Sequence, residues 1–282
     1  MYTLASKECQ QRTVVRVAGV PFGDDGFTMI AGPCAIESAA QIERTARFVA
    51  DAGAHMVRGG AYKPRTSPYA FQGLGDEGVE LISGASRDAQ IPSVVEALCE
   101  ADLHMLSRHV DMIQIGARNM QNFALLKAAA RTGKPILLKR AASATLDEVL
   151  YAAEYILVEG NPNVVLCERG IRSFDPQTRN VFDLGGALRL KELTHLPVIA
   201  DPSHSTGRAS LIEPVVLAAA AAGLDGAIVE VHPDPASALS DAEQALDFVA
   251  FERMMRRLRA LLAYSPVEAV DGFAVSAATC RR

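Results

Sequence analysis

The sequence has no C-x-x-C pair, no apolar run long enough to cross a bilayer and no excess of positive charge. Nor does a G-x-G-x-x-G follow its first strand-like run. Each absence excludes something. The five cysteines (Cys9, Cys34, Cys99, Cys167 and Cys280) are odd in number and widely spaced, which argues against a disulfide framework and for a reducing compartment. The opening stretch, "MYTLASKECQQRTVV", lacks the apolar centre of a signal peptide. The most apolar segment, "PVVLAAAAAGL", runs eleven residues and stops at Asp225, well short of the roughly 20 that span a membrane. With 28 basic against 33 acidic residues the net charge is −5, so binding nucleic acid through the bulk surface is not expected. The missing glycine fingerprint weakens a dinucleotide-binding, doubly wound sheet. The expectation is a cytoplasmic protein with no nucleic-acid or membrane partner.

What is present is a regular alternation. Apolar residues make up 49% of 282, enough for the core of one large α/β domain. Eight β-rich runs recur: 28–34, 55–60, 92–98, 112–117, 135–141, 164–170, 196–204 and 226–232. Between them lie segments of helical spacing, such as "SAAQIERTARFVADAG", "QNFALLKAAARTG" and "TLDEVLYAAEYILVEG", several ending in Gly. Ser38 is placed to cap the first of these helices. Eight such repeats predict a (β/α)8 barrel. Ahead of them, "TVVRVAGVPFGDDGFTM" predicts a hairpin closing the barrel floor. The expected layout is a single domain over 1–282: an N-terminal hairpin extension over 1–27, a barrel over 28–264 and a loosely structured tail over 265–282. The last helix is expected from about 241 to 264.

A barrel does its chemistry where the strands end. The expected strand ends carry Cys34, Arg58 with Lys63, Glu96, Arg118, Lys139, Arg169, His204 and Glu230. Five of these positions are cationic in an acidic chain. Arg58, Lys63, Arg118, Lys139 and Arg169 exceed the needs of one carboxylate and suit a ligand with both phosphate and carboxylate. The stretch "RGGAYKPRTSP" adds Arg65, Thr66 and Ser67 as a second phosphate site. Residues five apart on a straight strand face opposite ways, so Gly59–Gly60 is expected to bend the chain and bring Lys63 back beside Arg58. Cys34, His204, Glu230 and Asp241 form a smaller set suited to a divalent transition metal. His232, two residues after Glu230, competes as a ligand.

These segments resemble the 3-deoxy-D-arabino-heptulosonate 7-phosphate (DAHP) synthases, in their short bacterial type I, beta-like form. The matching stretches are "AGPCAIES", "RGGAYKPRTSPYAFQGLG", "QIGARNMQNF", "LLKR", "LCERGIRSF", "LPVIADPSHSTGR" and "VEVHPDPASALSD", in order from 31 to 241. The resemblance implies the barrel with its hairpin, a metal-dependent condensation of phosphoenolpyruvate with erythrose 4-phosphate, and a homo-oligomer (dimer or tetramer). It implies metal ligands Cys34, His204, Glu230 and Asp241, for Mn, Co, Fe or Zn. It implies a phosphoenolpyruvate site of Arg58, Lys63, Arg118, Lys139 and Arg169. The sugar phosphate falls to Lys63, Pro64, Arg65 and Thr66, with Asp201 near the metal and aldehyde. Lys63 is the expected proton donor, and Glu96 is expected to position the attacking water.

Two departures stand out: Ala141–Ala142 where the family usually has Gly after "LLKR", and "SVVEAL" around Glu96. With about thirty residues before the first strand run, no regulatory or chorismate mutase domain is expected, nor inhibition by aromatic amino acids. The nearest alternative is the sister 3-deoxy-D-manno-octulosonate 8-phosphate synthase, which takes arabinose 5-phosphate. "KPRTS" argues against it. A Schiff-base aldolase using Lys139 and a non-catalytic sugar-phosphate sensor are the other classes.

Overall fold

The computed structural model describes residues 2–64 and 67–264. Eight parallel strands close into a barrel: β3 (Thr28–Gly32), β4 (Met56–Arg58), β5 (Ser93–Ala97), β6 (Met112–Ile115), β7 (Ile136–Lys139), β8 (Val164–Glu168), β9 (Val198–Ala200) and β10 (Gly226–Glu230). They follow one another around the ring in chain order, and β10 pairs with β3 to close it. Each lies inside one of the eight runs read from the sequence. The antiparallel hairpin of β1 (Val15–Val17) and β2 (Val20–Phe22) precedes them.

Helices return the chain along the outside: α1 (Ala39–Asp51), α2 (Asp76–Asp88), α3 (Leu103–His109), α4 (Phe123–Arg131), α5 (Leu146–Leu157), α6 (Leu184–Leu193), the short α7 (Pro202–Thr206), α8 (Ala209–Ala221) and α9 (Phe248–Tyr264). The Ser38 hydroxyl accepts from the Gln41 amide and caps α1, as expected. In α5 the capping is reciprocal, with Thr145 and Glu148 each satisfying the other's backbone amide. The last helix starts later than expected. Residues 242–244 form a separate 3-10 turn. α9 begins only at Phe248, where the Asp247 carboxylate accepts from the Ala250 amide. The expected tail, 265–282, lies outside the described residues. No helix among the described residues is long and apolar enough to cross a membrane.

The barrel's inside follows from the two-residue period of a strand. Ile30, Met56, Val94, Met112, Leu137, Val165, Ile199 and Ile228, one from each strand, meet in a single apolar cluster. Val15, Val17 and Phe22 of the hairpin join it from below, so the floor is closed as expected. The outer faces of the strands pack with the helices in a second, larger cluster. Two residues further along the same inward faces stand Arg58, Glu96, Gln114, Lys139, Asp201 and Glu230. On β8 the inward series runs Val165, Cys167, Arg169. A one-residue change of register would turn these charges into the helix layer. The alternate residues show that other environment: Arg140 and Glu168 pair at 2.7 Å on the helix side, with Arg140 also 2.9 Å from Asp183.

Candidate active site and metal centre

Three stretches of chain after strand ends bring the metal-ligand types together. Cys34 follows β3, His204 sits in α7 just beyond β9, and Glu230 ends β10 with Asp241 eleven residues later. One ligand atom from each of Cys34, His204, Glu230 and Asp241 lies within 4.8 Å of all the others. These residues span more than 200 positions of sequence, and barrel closure between β10 and β3 makes them neighbours.

Asp241 adopts a left-handed backbone, φ 53°, which a short polar side chain tolerates better than most. Its carboxylate lies 3.1 Å from the Cys34 sulfur. The Cys34 sulfur is also 3.1 Å from the Ser240 hydroxyl and 3.0 Å from Lys63 Nζ. His204 Nε2 stands 3.3 Å from Glu230 Oε1, while its Nδ1 faces Asp201 at 2.8 Å. Asp201 therefore orients the ring, and the opposite nitrogen is turned toward the other ligands.

His232 is not part of the group. The strand ladder ends at Glu230, and the chain turns so that His232 Nε2 meets Glu37 at 3.3 Å. Its Nδ1 accepts from the Asp234 amide. The shared-face expectation for His232 fails because the strand stops one residue after Val229.

The cations surround this group unevenly. Arg58 is buried against Glu230, with Nη1 and Oε1 3.1 Å apart. That approach is too poorly aligned for a hydrogen bond. Arg58 Nε and Nη1 and Glu230 Oε1 are left without one among the described residues. Buried charged atoms are rarely left in this condition, and here one is a carboxylate lone pair facing the other ligands. Lys139 contacts Asp201 at 2.5 Å with both side chains buried. A lysine held in that way is a poor amine nucleophile, which counts against the Schiff-base alternative. Arg169 lies on the inward face of β8. Arg118 stands on the rim, in a 3-10 turn after β6, and donates to the Pro64 carbonyl at 3.1 Å. Glu96 accepts from Gln114 at 2.8 Å.

Lys63 shows what the two glycines do. After Gly60, which bridges to Ala35, the chain bends and Lys63 turns back so that Nζ donates to the Cys34 carbonyl at 3.0 Å. A Cβ on Gly60 would sit 2.7 Å from that carbonyl oxygen and 2.7 Å from Lys63 Cδ. Close approach, with no positive φ at either glycine, is the reason for the pair. Arg65 and Thr66, expected at the sugar phosphate, lie outside the described residues. The Ala141–Ala142 departure is accommodated: the Ala141 amide meets the Met120 sulfur, and the Ala142 carbonyl accepts from the Arg172 amide.

The electrostatics follow from burial and pairing. Burial, with Glu230 beside it, pushes the Cys34 thiol up to about 12. A bound cation reverses that preference. Burial opposes ionisation of Asp201, but His204 and Lys139 outweigh it and hold the carboxyl well below the usual range. Glu230 is lowered in the same way, with burial overcome by His204, Arg58 and Lys63. Burial lowers His204 despite both carboxylates, favouring the neutral imidazole that ligates metals. Burial also depresses Arg169, although Asp201 pulls the other way.

Sulfur, imidazole and two carboxylates around one point, with an orphaned carboxylate oxygen among them, suit a divalent transition metal. Beside them stands a set of buried cations able to hold a phosphorylated acid. Fold and site together define a metal-binding (β/α)8 barrel for a phosphorylated anionic substrate. The chain belongs to the DAHP synthetase I family, whose sequence model matches residues 9–263.

It is 47% identical over 261 residues to the phospho-2-dehydro-3-deoxyheptonate aldolase of Thermotoga maritima, covering 92% of this chain and 77% of that one. The crystal structure of that Thermotoga enzyme superposes with a TM-score of 0.91 at 46% identity, over 93% of this chain and 77% of the other. A truncated form of the 3-deoxy-D-arabino-heptulosonate 7-phosphate synthase from the same organism gives 0.87 at 42% identity, over 93% and 97%. A 2-dehydro-3-deoxyphosphooctonate aldolase of Acidithiobacillus ferrooxidans is 31% identical over 83% of this chain and 88% of its own.

Three features of the site were not anticipated from the sequence. Ser240 contacts the Cys34 sulfur, and it is signalled only by its place beside Asp241. Gln244 reaches Glu230, with no signal beyond being three residues past Asp241. Arg179 reaches Gln244 from a loop whose pattern suggests nothing.

Proposed function

We propose that this protein is a metal-dependent DAHP synthase. It condenses phosphoenolpyruvate with erythrose 4-phosphate to 3-deoxy-D-arabino-heptulosonate 7-phosphate and phosphate, the first step of the shikimate pathway toward the aromatic amino acids. The observation that carries this reading is the four-ligand group lying directly against Arg58 and Lys63.

Cys34, His204, Glu230 and Asp241 would hold a divalent ion. The thiol favours Mn, Fe, Co or Zn over a hard cation held by oxygen alone. When bound, such an ion supplies Lewis-acid polarisation of the aldehyde oxygen. Arg58, Lys63, Arg118, Lys139 and Arg169 hold phosphoenolpyruvate, whose phosphate and carboxylate match several forked donors. Lys63, Pro64, Arg65, Thr66 and Asp201 hold erythrose 4-phosphate. Positioned so, the enol carbon attacks the aldehyde carbon, water adds at the neighbouring carbon, and phosphate leaves by C–O cleavage. Lys63 delivers the proton to the aldehyde oxygen, and Glu96 positions the water. Fixing two anions in one mouth replaces a bimolecular search with orientation. The enzyme works in the cytoplasm as a homo-oligomer, a dimer or a tetramer.

Phosphate release tests the reading. With phosphoenolpyruvate, erythrose 4-phosphate and Mn2+ or Co2+ the protein is expected to release phosphate. Chelator should stop release and added ion restore it, and arabinose 5-phosphate should be the poorer acceptor. Release that ignores chelator, or that needs arabinose 5-phosphate, would overturn it.

A further inference from the structure

Gln244 and Arg179 form a chain of hydrogen bonds that ends on the proposed metal ligand Glu230. Gln244 is buried, at 3% exposure. Its Nε2 donates to Glu230 Oε2 at 2.6 Å. Its Oε1 accepts from Arg179 Nη1 at 2.9 Å. Arg179 can only donate, so the amide orientation is fixed: oxygen to Arg179, nitrogen to Glu230. The consequence falls on Glu230. One of its oxygens is capped by Gln244, and the other, Oε1, is the orphaned atom turned toward His204 Nε2 and the remaining ligands.

Arg179 carries this further. The same Nη1 lies 3.7 Å from Asp241 Oδ1. Arg179 belongs to the loop between β8 and α6, and that loop also grips the segment bearing His204. The Arg179 and Asn180 amides donate to the Thr206 and Ser205 carbonyls at 3.0 and 2.7 Å. The Asn180 side chain donates to the His204 carbonyl at 3.2 Å. One loop thus touches the supports of three of the four ligand residues.

We propose that Gln244, held by Arg179, is a positioning residue that makes Glu230 a one-oxygen ligand and so sets the affinity and coordination number of the metal centre. The proposal rests on the metal reading given above. Without the amide, Glu230 Oε2 is released to swing toward the ion, giving a two-oxygen, higher-coordinate and less rigid site. Partners behind metal ligands usually matter on the scale of about 10- to 100-fold in affinity.

Co2+ is the probe, because its visible bands report geometry without turnover. Affinity is read by chelator competition on the full chain, and the bands by absorption. Gln244→Met keeps the side chain's length and removes both hydrogen bonds. It is expected to weaken Co2+ by about 10- to 100-fold and to reduce the band intensity as the coordination number rises. Arg179→Met, at a half-exposed position that does not threaten folding, is expected to weaken Co2+ by about 3- to 10-fold. In the Gln244→Met background that second loss should shrink to what Arg179 contributes through Asp241, because its path to Glu230 runs through Gln244. Gln244→Met with unchanged bands and affinity within about twofold of wild type overturns the proposal. So does an Arg179→Met effect that persists undiminished in the double variant. Wild-type protein that binds no Co2+ overturns the metal reading itself, and this inference with it.

Discussion

The floor and the mouth of this barrel are built on the same strand faces, one pleat apart, and they obey opposite rules. At the floor, eight inward side chains and three from the hairpin form an apolar plug. Two residues along, at the mouth, the same strands present Arg58, Lys139, Asp201 and Glu230, all buried and paired across the barrel. The floor gains from every methylene removed from water. The mouth gives up stability, because each ion desolvated there needs a well-aligned partner. Arg58 and Glu230 do not fully provide one another with it. Stability and chemistry are thus stacked along each strand, and the alternation that fills one layer aims the other.

The largest expected effects come from inverting the mouth's rule. Arg58→Met alone leaves Glu230 buried with less compensation, and Glu230→Met does the same to Arg58. Each is expected to cost about 3–5 kcal/mol in urea unfolding with chelator present, and phosphate release should fall at least about 100-fold. The double Arg58→Met/Glu230→Met variant should regain wild-type stability within about 1 kcal/mol, or exceed it, while staying inactive. Simple addition of the two losses would show that the pair is not the costly element it is taken to be.

Next in size is the reciprocal change at the floor. Phe22 is fully buried against the barrel interior. Phe22→Ala is expected to cost about 3–5 kcal/mol, with phosphate release at a temperature where the variant is folded kept within about threefold of wild type. A selective loss of turnover in the folded variant would mean that the floor and the mouth are mechanically coupled.

The floor and most of the mouth were legible in the sequence for the same reason. Period-two apolar runs that end in charge state both the inward face and the point where it stops, so Arg58, Lys139, Arg169 and Glu230 could be placed by counting. Where the chain leaves the ladder, counting loses its meaning. His232 was two residues from Glu230 yet turned to Glu37, because no strand constrained it. The start of α9 was missed because Asp241 takes a left-handed backbone and 242–244 make a turn of their own, neither of which periodicity records. Gln244 and Arg179 are ordinary polar residues until the β8–α6 loop and the segment after β10 are seen in contact. The metal-ligand group lay between these extremes. Its residue types were visible, but their convergence depended on barrel closure between β10 and β3.

The smallest expected effect separates position from role. Ser38 lies four residues after Cys34, on the mouth side of the barrel, yet among the described residues its hydroxyl serves only the Gln41 amide at the start of α1. If place alone conferred function, Ser38→Ala would damage turnover. If bonding decides, it costs what a helix cap is worth, about 1 kcal/mol in urea unfolding, and phosphate release is unchanged. Ser38→Asp should then return most of that stability, since a carboxylate caps as well and suits the helix N-terminus. A fall in turnover beyond about tenfold in Ser38→Ala, with Ser38→Asp failing to restore it, would mean that the Cys34–Ser38 turn is part of the metal centre's support. The mouth would then extend outward along α1, beyond the inward-facing layer that the strand period defines.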